Sequence, residues 1–195
     1  LRVGVFALQG DVREHLQILS RLGAETSEIR DAKALEEIDG LVLPGGESTT
    51  MSKLIDIFQL RSPLQDFVAS GKPVFGTCAG MIMLATEVLD AGSGQRGLGA
   101  MDISVRRNAF GTQLDSFETE LTFAGKTTQV AFIRAPIVEV IGEGVQVLST
   151  LEDGRIVGVR QGNLLATSFH PELTGDTTVH NYFLGMISSQ LELLA

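Results

Sequence analysis

Through the first 75 residues, apolar runs too short for helices alternate with stretches whose apolar residues recur at helical spacing, and few folds accommodate that alternation. Residues 3–8 form an apolar run of strand length. Asp11 stands where it can cap a helix over residues 12–22, with Leu16, Leu19 and Leu22 on one stripe and Gly23 placed to end it. A second strand covers residues 25–29. A third, residues 40–43, runs into Pro44-Gly45-Gly46, after which Ser48 or Thr49 caps a helix reaching Phe58. A helix over residues 63–69 leads through Gly71-Lys72 to the strand Pro73-Val74-Phe75, and residues 81–89 read as helical again. The prediction is an α/β fold with a mostly parallel central sheet, helices on both faces, and functional loops at the carboxyl ends of the strands.

The second half differs. A glycine-rich loop over residues 90–99 precedes short strand-like segments at residues 100–106, 117–123, 130–133, 145–151, 155–160 and 164–169. Glu152-Asp153-Gly154 and Gln161-Gly162-Asn163 read as hairpin turns, so a smaller antiparallel region is expected here. Residues 176–194 return to helical spacing. No repeat or linker interrupts the chain, and a single domain over residues 1–195 is expected, large enough to bury roughly 70% of its unfolded surface.

A formal net charge of −9 and a pI near 4.8 repel a phosphate backbone, which argues against nucleic acid. No apolar run approaches the ~20 residues that a membrane helix needs. The first residues lack the pattern of a secretory signal, so the expected compartment is the cytoplasm. One cysteine and three dispersed histidines have no metal-ligand spacing, and neither a metal nor a cofactor is expected.

That one cysteine lies in Gly76-Thr77-Cys78-Ala79-Gly80, at a strand-to-helix turn. Glycines on both sides allow the sharp turn that exposes a nucleophile over the start of a helix. A thiol at a helix N-terminus beside an imidazolium ionises more readily than a free one. The imidazole is assigned to His170, directly after the strand at residues 164–169. His15, within the first helix, reads as solvated or partner-facing, and His180 as surface decoration on the last helix. Glu172 follows His170 across Pro171. In an extended segment residues i and i+2 share a side, so its carboxylate can hold the imidazole nitrogen that faces away from the thiol. Acyl transfer also needs donors for a negative oxygen, and the backbone amides of Gly46 and Ala79 are the candidates.

These residues resemble the class I, or triad, glutamine amidotransferases, whose pattern is G-x-C-x-G followed far downstream by H-P-E. More narrowly, Ala7-Leu8-Gln9-Gly10-Asp11, Leu43-Pro44-Gly45-Gly46-Glu47-Ser48, Asp115-Ser116-Phe117-Glu118, Phe132-Ile133-Arg134-Ala135-Pro136 and Ser168-Phe169-His170-Pro171-Glu172 are similar to the glutaminase subunits of pyridoxal phosphate synthases. The resemblance spans nearly the whole chain. It implies that Cys78, His170 and Glu172 hydrolyse L-glutamine through a γ-glutamyl thioester, with substrate contacts at Gly46, Glu47, Ser48, Arg107, Ile133 and Arg134. It also implies a partner, a (β/α)₈-barrel synthase subunit that receives the ammonia and makes pyridoxal phosphate, which is not a cofactor of this chain. Arg106 and Thr112 depart from the family pattern around Arg107. The residues alone leave open a glutaminase or γ-glutamyl hydrolase of another pathway, or a redox-sensing or docking protein of the same fold.

Overall fold

The computed structural model describes residues 1–110 and 116–195. Thr112, one of the two departures from the family pattern, and Asp115 lie outside the described residues. The first half follows the anticipated alternation: β1 (Arg2–Phe6), α1 (Val12–Arg21), β2 (Glu25–Ile29), α2 (Ala32–Glu36), β3 (Gly40–Leu43), α3 (Ser48–Ile57), α4 (Arg61–Ala69), β4 (Val74–Thr77), α5 (Ala79–Leu84) and β5 (Ala85–Val88). The second half supplies β6 (Met101–Arg106), β7 (Ser116–Phe123), β8 (Lys126–Ile133), β9 (Ile137–Ile141), β10 (Gln146–Thr150), β11 (Ile156–Gln161) and β12 (Leu164–Thr167). A 3₁₀ turn (Pro171–Leu173) and α6 (Thr178–Leu194) end the chain.

Three elements differ from the sequence reading. The helix expected over residues 81–89 stops at Leu84, and Ala85–Val88 becomes a strand parallel to β6. A continuous apolar run does not distinguish helix from strand, and the β-branched Thr86 and Val88 favour the extended form. The short helix α2 was not anticipated, and Asp31 caps it by accepting the Ala34 amide at 2.9 Å. Strand β9 was also missed, although Ile137-Val138-Glu139-Val140-Ile141 is rich in β-branched residues.

The large sheet runs in the order β2-β1-β3-β4-β12-β11-β9-β6-β5, with β10 paired to β11. Pairing is parallel from β2 through β12, while β11 is antiparallel to β12, β10 and β9. Both predicted hairpin turns therefore join antiparallel strands. Strands β7 and β8 form a separate antiparallel pair.

Alternation along the strands divides the core in two. Leu41, Leu43, Val74, Leu164 and Ala166 face a cluster closed by α2 to α5, whereas Val42, Phe75 and Leu165 face one closed by α1, α6 and the β7–β8 pair. With both faces covered, the exposed functional edge is the end where β1, β3, β4 and β12 terminate side by side. The β3–β4 register sets Leu43 beside Gly76, and the β4–β12 register sets Thr77 beside Thr167.

The approach of α5 to this sheet requires Gly80. A Cβ there would run into the Leu43 backbone carbonyl, and one at Gly76 would meet the Gly80 carbonyl group at 2.5 Å. Backbone cannot yield as a flexible side chain does. Gly80→Ala is therefore expected to lower stability by about 1–3 kcal/mol, as overpacking typically does, read as a fall in the urea midpoint at unchanged slope.

Candidate active site

Cys78 occupies the N-cap of α5 with φ 49° and ψ −103°, a left-handed conformation that costs an L-residue roughly 1–3 kcal/mol. Neighbouring contacts hold it there. Its amide donates to the Thr167 carbonyl at 2.8 Å, extending the β4–β12 ladder by one step, and its thiol donates to the Ile133 carbonyl of β8 at 3.8 Å. The residue is 5% exposed.

His170 follows the end of β12, and its backbone is fixed by a bridge to Ala131 of β8, its amide donating to the Ala131 carbonyl at 2.7 Å. Strand β8 thus braces both the cysteine and the histidine. Nδ1 of His170 lies 2.6 Å from Glu172 Oε1 and 3.3 Å from Asp11 Oδ2. The segment carrying Glu172 is a 3₁₀ turn and not the extended strand expected across Pro171. Its tight winding still brings the carboxylate back onto the imidazole. Asp11 flanks α1 as anticipated but makes no side-chain cap, because its carboxylate points toward His170.

Burial would lower the His170 pKa, but hydrogen bonding with Asp11, Cys78 and Glu172, together with the Glu172 charge, outweighs it and raises the pKa to about 12. Burial raises the Glu172 carboxyl above its ordinary value, against the lowering effect of its bond to His170. With its pKa raised, His170 holds the proton of the 2.6 Å contact, giving an imidazolium–carboxylate pair in a buried site. A cysteine sulfur beside an imidazolium held by a carboxylate is the arrangement that nucleophilic acyl transfer uses.

Gly45 and Gly46 lie against this array. A Cβ on Gly45 would strike the His170 ring, so only glycine allows the ring its place. The Gly45 carbonyl accepts the Asp11 amide at 3.0 Å, and trans-peptide geometry aims the Gly46 N–H away from that loop. Ala79 contributes the first amide of α5.

Glu47, and not Ser48 or Thr49, is the cap of α3. Its carboxylate accepts the Thr49 and Thr50 amides at 3.0 and 2.7 Å and the Thr50 hydroxyl at 2.6 Å. Partial burial opposes ionisation, yet these bonds hold the Glu47 pKa at about 2. Ser48 is buried and accepts from the Gln95 amide at 2.8 Å, while Gln95 Oε1 accepts from Arg107 at 3.0 Å. Arg107 also donates to Thr49 Oγ1 and through Nε to the Asp90 carbonyl. Gln95 therefore ties Ser48 to Arg107, a role that sequence reading missed inside a loop recognised only by its glycines. Ile133 and Arg134 are exposed at the end of β8, Arg134 with φ 45°. Arg106 pairs with Glu139 of β9 at 2.7 Å and takes no part in this cluster.

Two further expectations fail. His15 and His180, read as surface groups, are both fully buried, with His15 Nδ1 2.8 Å from His180 Nε2. Each sits on the apolar stripe of its helix, beside Ile18 and Leu19 on α1 and Val179 and Phe183 on α6. That placement was the available signal. Burial, then the proximity of His180 and His170, keeps the His15 pKa well below the ordinary imidazole value, and burial lowers that of His180 to about 3.

The fold is that of a glutamine amidotransferase. A crystal structure described as a glutamine amidotransferase matches at a TM-score of 0.90 and 47% identity, covering 95% of this chain and 98% of that one. A structure described as PurLQS from Thermotoga maritima, at TM-score 0.66 and 17% identity over 97% of this chain and 98% of its own, shares the fold. Residues 5–189 match the SNO glutamine amidotransferase family, and the chain belongs to it. Among curated relatives, the proteins named pyridoxal 5'-phosphate synthase subunit PdxT of Salinispora tropica and Corynebacterium jeikeium are 55% and 56% identical. They align over 97% and 96% of this chain and 98% and 97% of their own. No helix among the described residues is long and apolar enough to cross a membrane.

The buried histidines set an acid dependence of stability. Below about pH 6.5 an unfolded chain protonates both, whereas the folded protein does not protonate His180 until about pH 3. The unfolded state then binds more protons and stability falls on acidification, by on the order of 1 kcal/mol per pH unit for each histidine. His170, with a raised pKa, contributes fully below about pH 6.5 and loses that contribution progressively as pH rises toward about 12. Glu172, also raised, opposes the trend at the acid end. The urea midpoint is expected to fall between about pH 6.5 and pH 5, and to fall less in His180→Leu.

Proposed function

We propose that this chain is the glutaminase subunit of a pyridoxal 5'-phosphate synthase, acting as a single glutamine amidotransferase domain over residues 1–195. The observation that carries the reading is the convergence of Cys78, His170 and Glu172 at the edge where β4 and β12 end, in a chain whose relatives bear that subunit's name. Cys78 sulfur, as the thiolate of a thiolate–imidazolium pair with His170, attacks the side-chain carboxamide carbon of L-glutamine. Glu172 holds the imidazolium through Nδ1. The backbone amides of Gly46 and Ala79 donate to the oxyanion, each worth a factor of roughly 100 to 1,000 in rate. Collapse breaks the C–N bond, and ammonia leaves with a proton from His170. Water, deprotonated by His170, then displaces the sulfur to give glutamate.

Gly46, Glu47, Ser48, Arg107, Ile133 and Arg134 hold the substrate. Support for this comes from the connected cluster of Glu47, Ser48, Gln95 and Arg107, and from the Ile133 carbonyl at the thiol. A guanidinium suits the free carboxylate of an amino acid. Ammonia passes to a (β/α)₈-barrel synthase subunit in the cytoplasm.

The test is ammonia release from glutamine with and without the synthase subunit. Addition of that subunit should raise turnover, Cys78→Ala should abolish it, and His170→Asn should lower kcat at least about 100-fold. Strong activity of the free chain that the synthase subunit leaves unchanged, or activity surviving in Cys78→Ala, contradicts the proposal.

A further inference from the structure

The proposed chemistry uses one of the three histidines, and the other two are buried directly behind it. Glu172 Oε1 accepts from His170, while its Oε2 is buried without a hydrogen-bond partner among the described residues. His15 Nε2, projecting from α1, lies 3.6 Å from that oxygen and 3.3 Å from Thr77 Oγ1 of β4. On the far side of the ring His15 Nδ1 meets His180 Nε2, and His180 Nδ1 has no partner among the described residues. Phe75 packs edge-on against both rings.

Proton placement follows by elimination. One hydrogen must lie between His15 Nδ1 and His180 Nε2. If His15 supplies it, a neutral His15 turns a lone pair toward the Glu172 carboxylate, and a neutral His180 buries an unpaired N–H. If His180 supplies it, His15 carries its hydrogen on Nε2, facing Glu172 and Thr77, and the orphan on His180 is a lone pair. An orphaned buried N–H is rarer than an orphaned acceptor, and a lone pair facing a carboxylate is repulsive. Both effects favour the second arrangement.

We propose that His15 and His180 are positioning residues for glutamine hydrolysis: two neutral imidazoles in series, with His180 fixing the His15 tautomer whose Nε2–H supports the outer oxygen of Glu172. The inference deepens the proposed function and rests on it. At 3.6 Å the contact is longer than a hydrogen bond, and a shift of about 0.5 Å would complete it. Among the described residues three titratable groups stand against Glu172: His170 from its own segment, Asp11 from the loop before α1 and His15 from α1, whose Nε2 also meets Thr77 of β4. His180 of α6 acts through His15. Among them Asp11 adds negative charge and burial disfavours ionisation, so the carboxylate needs a second donor.

With three histidines in the chain, ¹⁵N-histidine NMR on the full protein reads the arrangement directly. His15 and His180 should both appear as neutral Nε2–H tautomers from pH 8 to 5.5. A His15 carrying its proton on Nδ1 alone, or an imidazolium at either site, overturns the proposal whatever the activity. In the complex with the synthase subunit, His15→Leu should lower kcat on the order of tenfold at pH 7 and move the acidic limb of kcat/KM to higher pH. His15→Gln, whose amide nitrogen can replace Nε2–H, should recover most of both. A uniform loss with an unmoved limb, or Gln no better than Leu, denotes a packing role only and overturns it. A wild-type complex that releases no ammonia from glutamine instead overturns the functional reading, and the positioning role falls with it.

Discussion

The parallel pairing of β4 with β12 is the constraint on which the rest of the structure depends. Cys78 and His170 are distant in sequence, and closing so long a loop is entropically unfavourable until the strands pair. The ladder from Leu164↔Val74 to Thr167↔Thr77 fixes their relation, and the Cys78 amide adds a further bond to Thr167. Everything chemical follows from where that ladder ends. Strand β8 then braces the site, one carbonyl engaging the thiol and another the His170 amide.

Close approach without side chains is the second constraint. Gly80 lets α5 press onto Leu43, and Gly45 lets the His170 ring fill space that a methyl group would take. Strain at Cys78 persists because the β4–β12 ladder before it and the buried helix after it leave the chain no alternative path. The site is assembled largely from backbone, with few side chains left to move.

Much of this was legible in the sequence because local signals agreed with the global fold. The strand-helix alternation, the glycine frame of Cys78 and the His-Pro-Glu segment each point to a strand end, and four strand ends meet. What escaped was decided by tertiary context. Residues 81–89 are apolar throughout most of their length, so no periodicity separated helix from the edge strand at Ala85–Val88. Glu47 outcompeted Ser48 and Thr49 as a cap because its longer carboxylate reaches two amides and a hydroxyl together. His15 and His180 read as surface groups because they lie within helices and away from strand ends, although their positions on apolar stripes indicated burial. Gln95 carried no local signal, since its partners arrive from α3 and from the end of β6.

At the centre of this account, the Cys78 thiol and the His170 imidazole operate as one unit on a bound glutamine. The most direct measurement is covalent labelling of the complex by a glutamine analogue bearing a diazoketone in place of the carboxamide, located by peptide mass spectrometry. The account predicts one label per chain, on Cys78, with a rate that falls at least about 100-fold in His170→Asn. Labelling at another residue, or labelling of Cys78 at an unchanged rate in that variant, would contradict it.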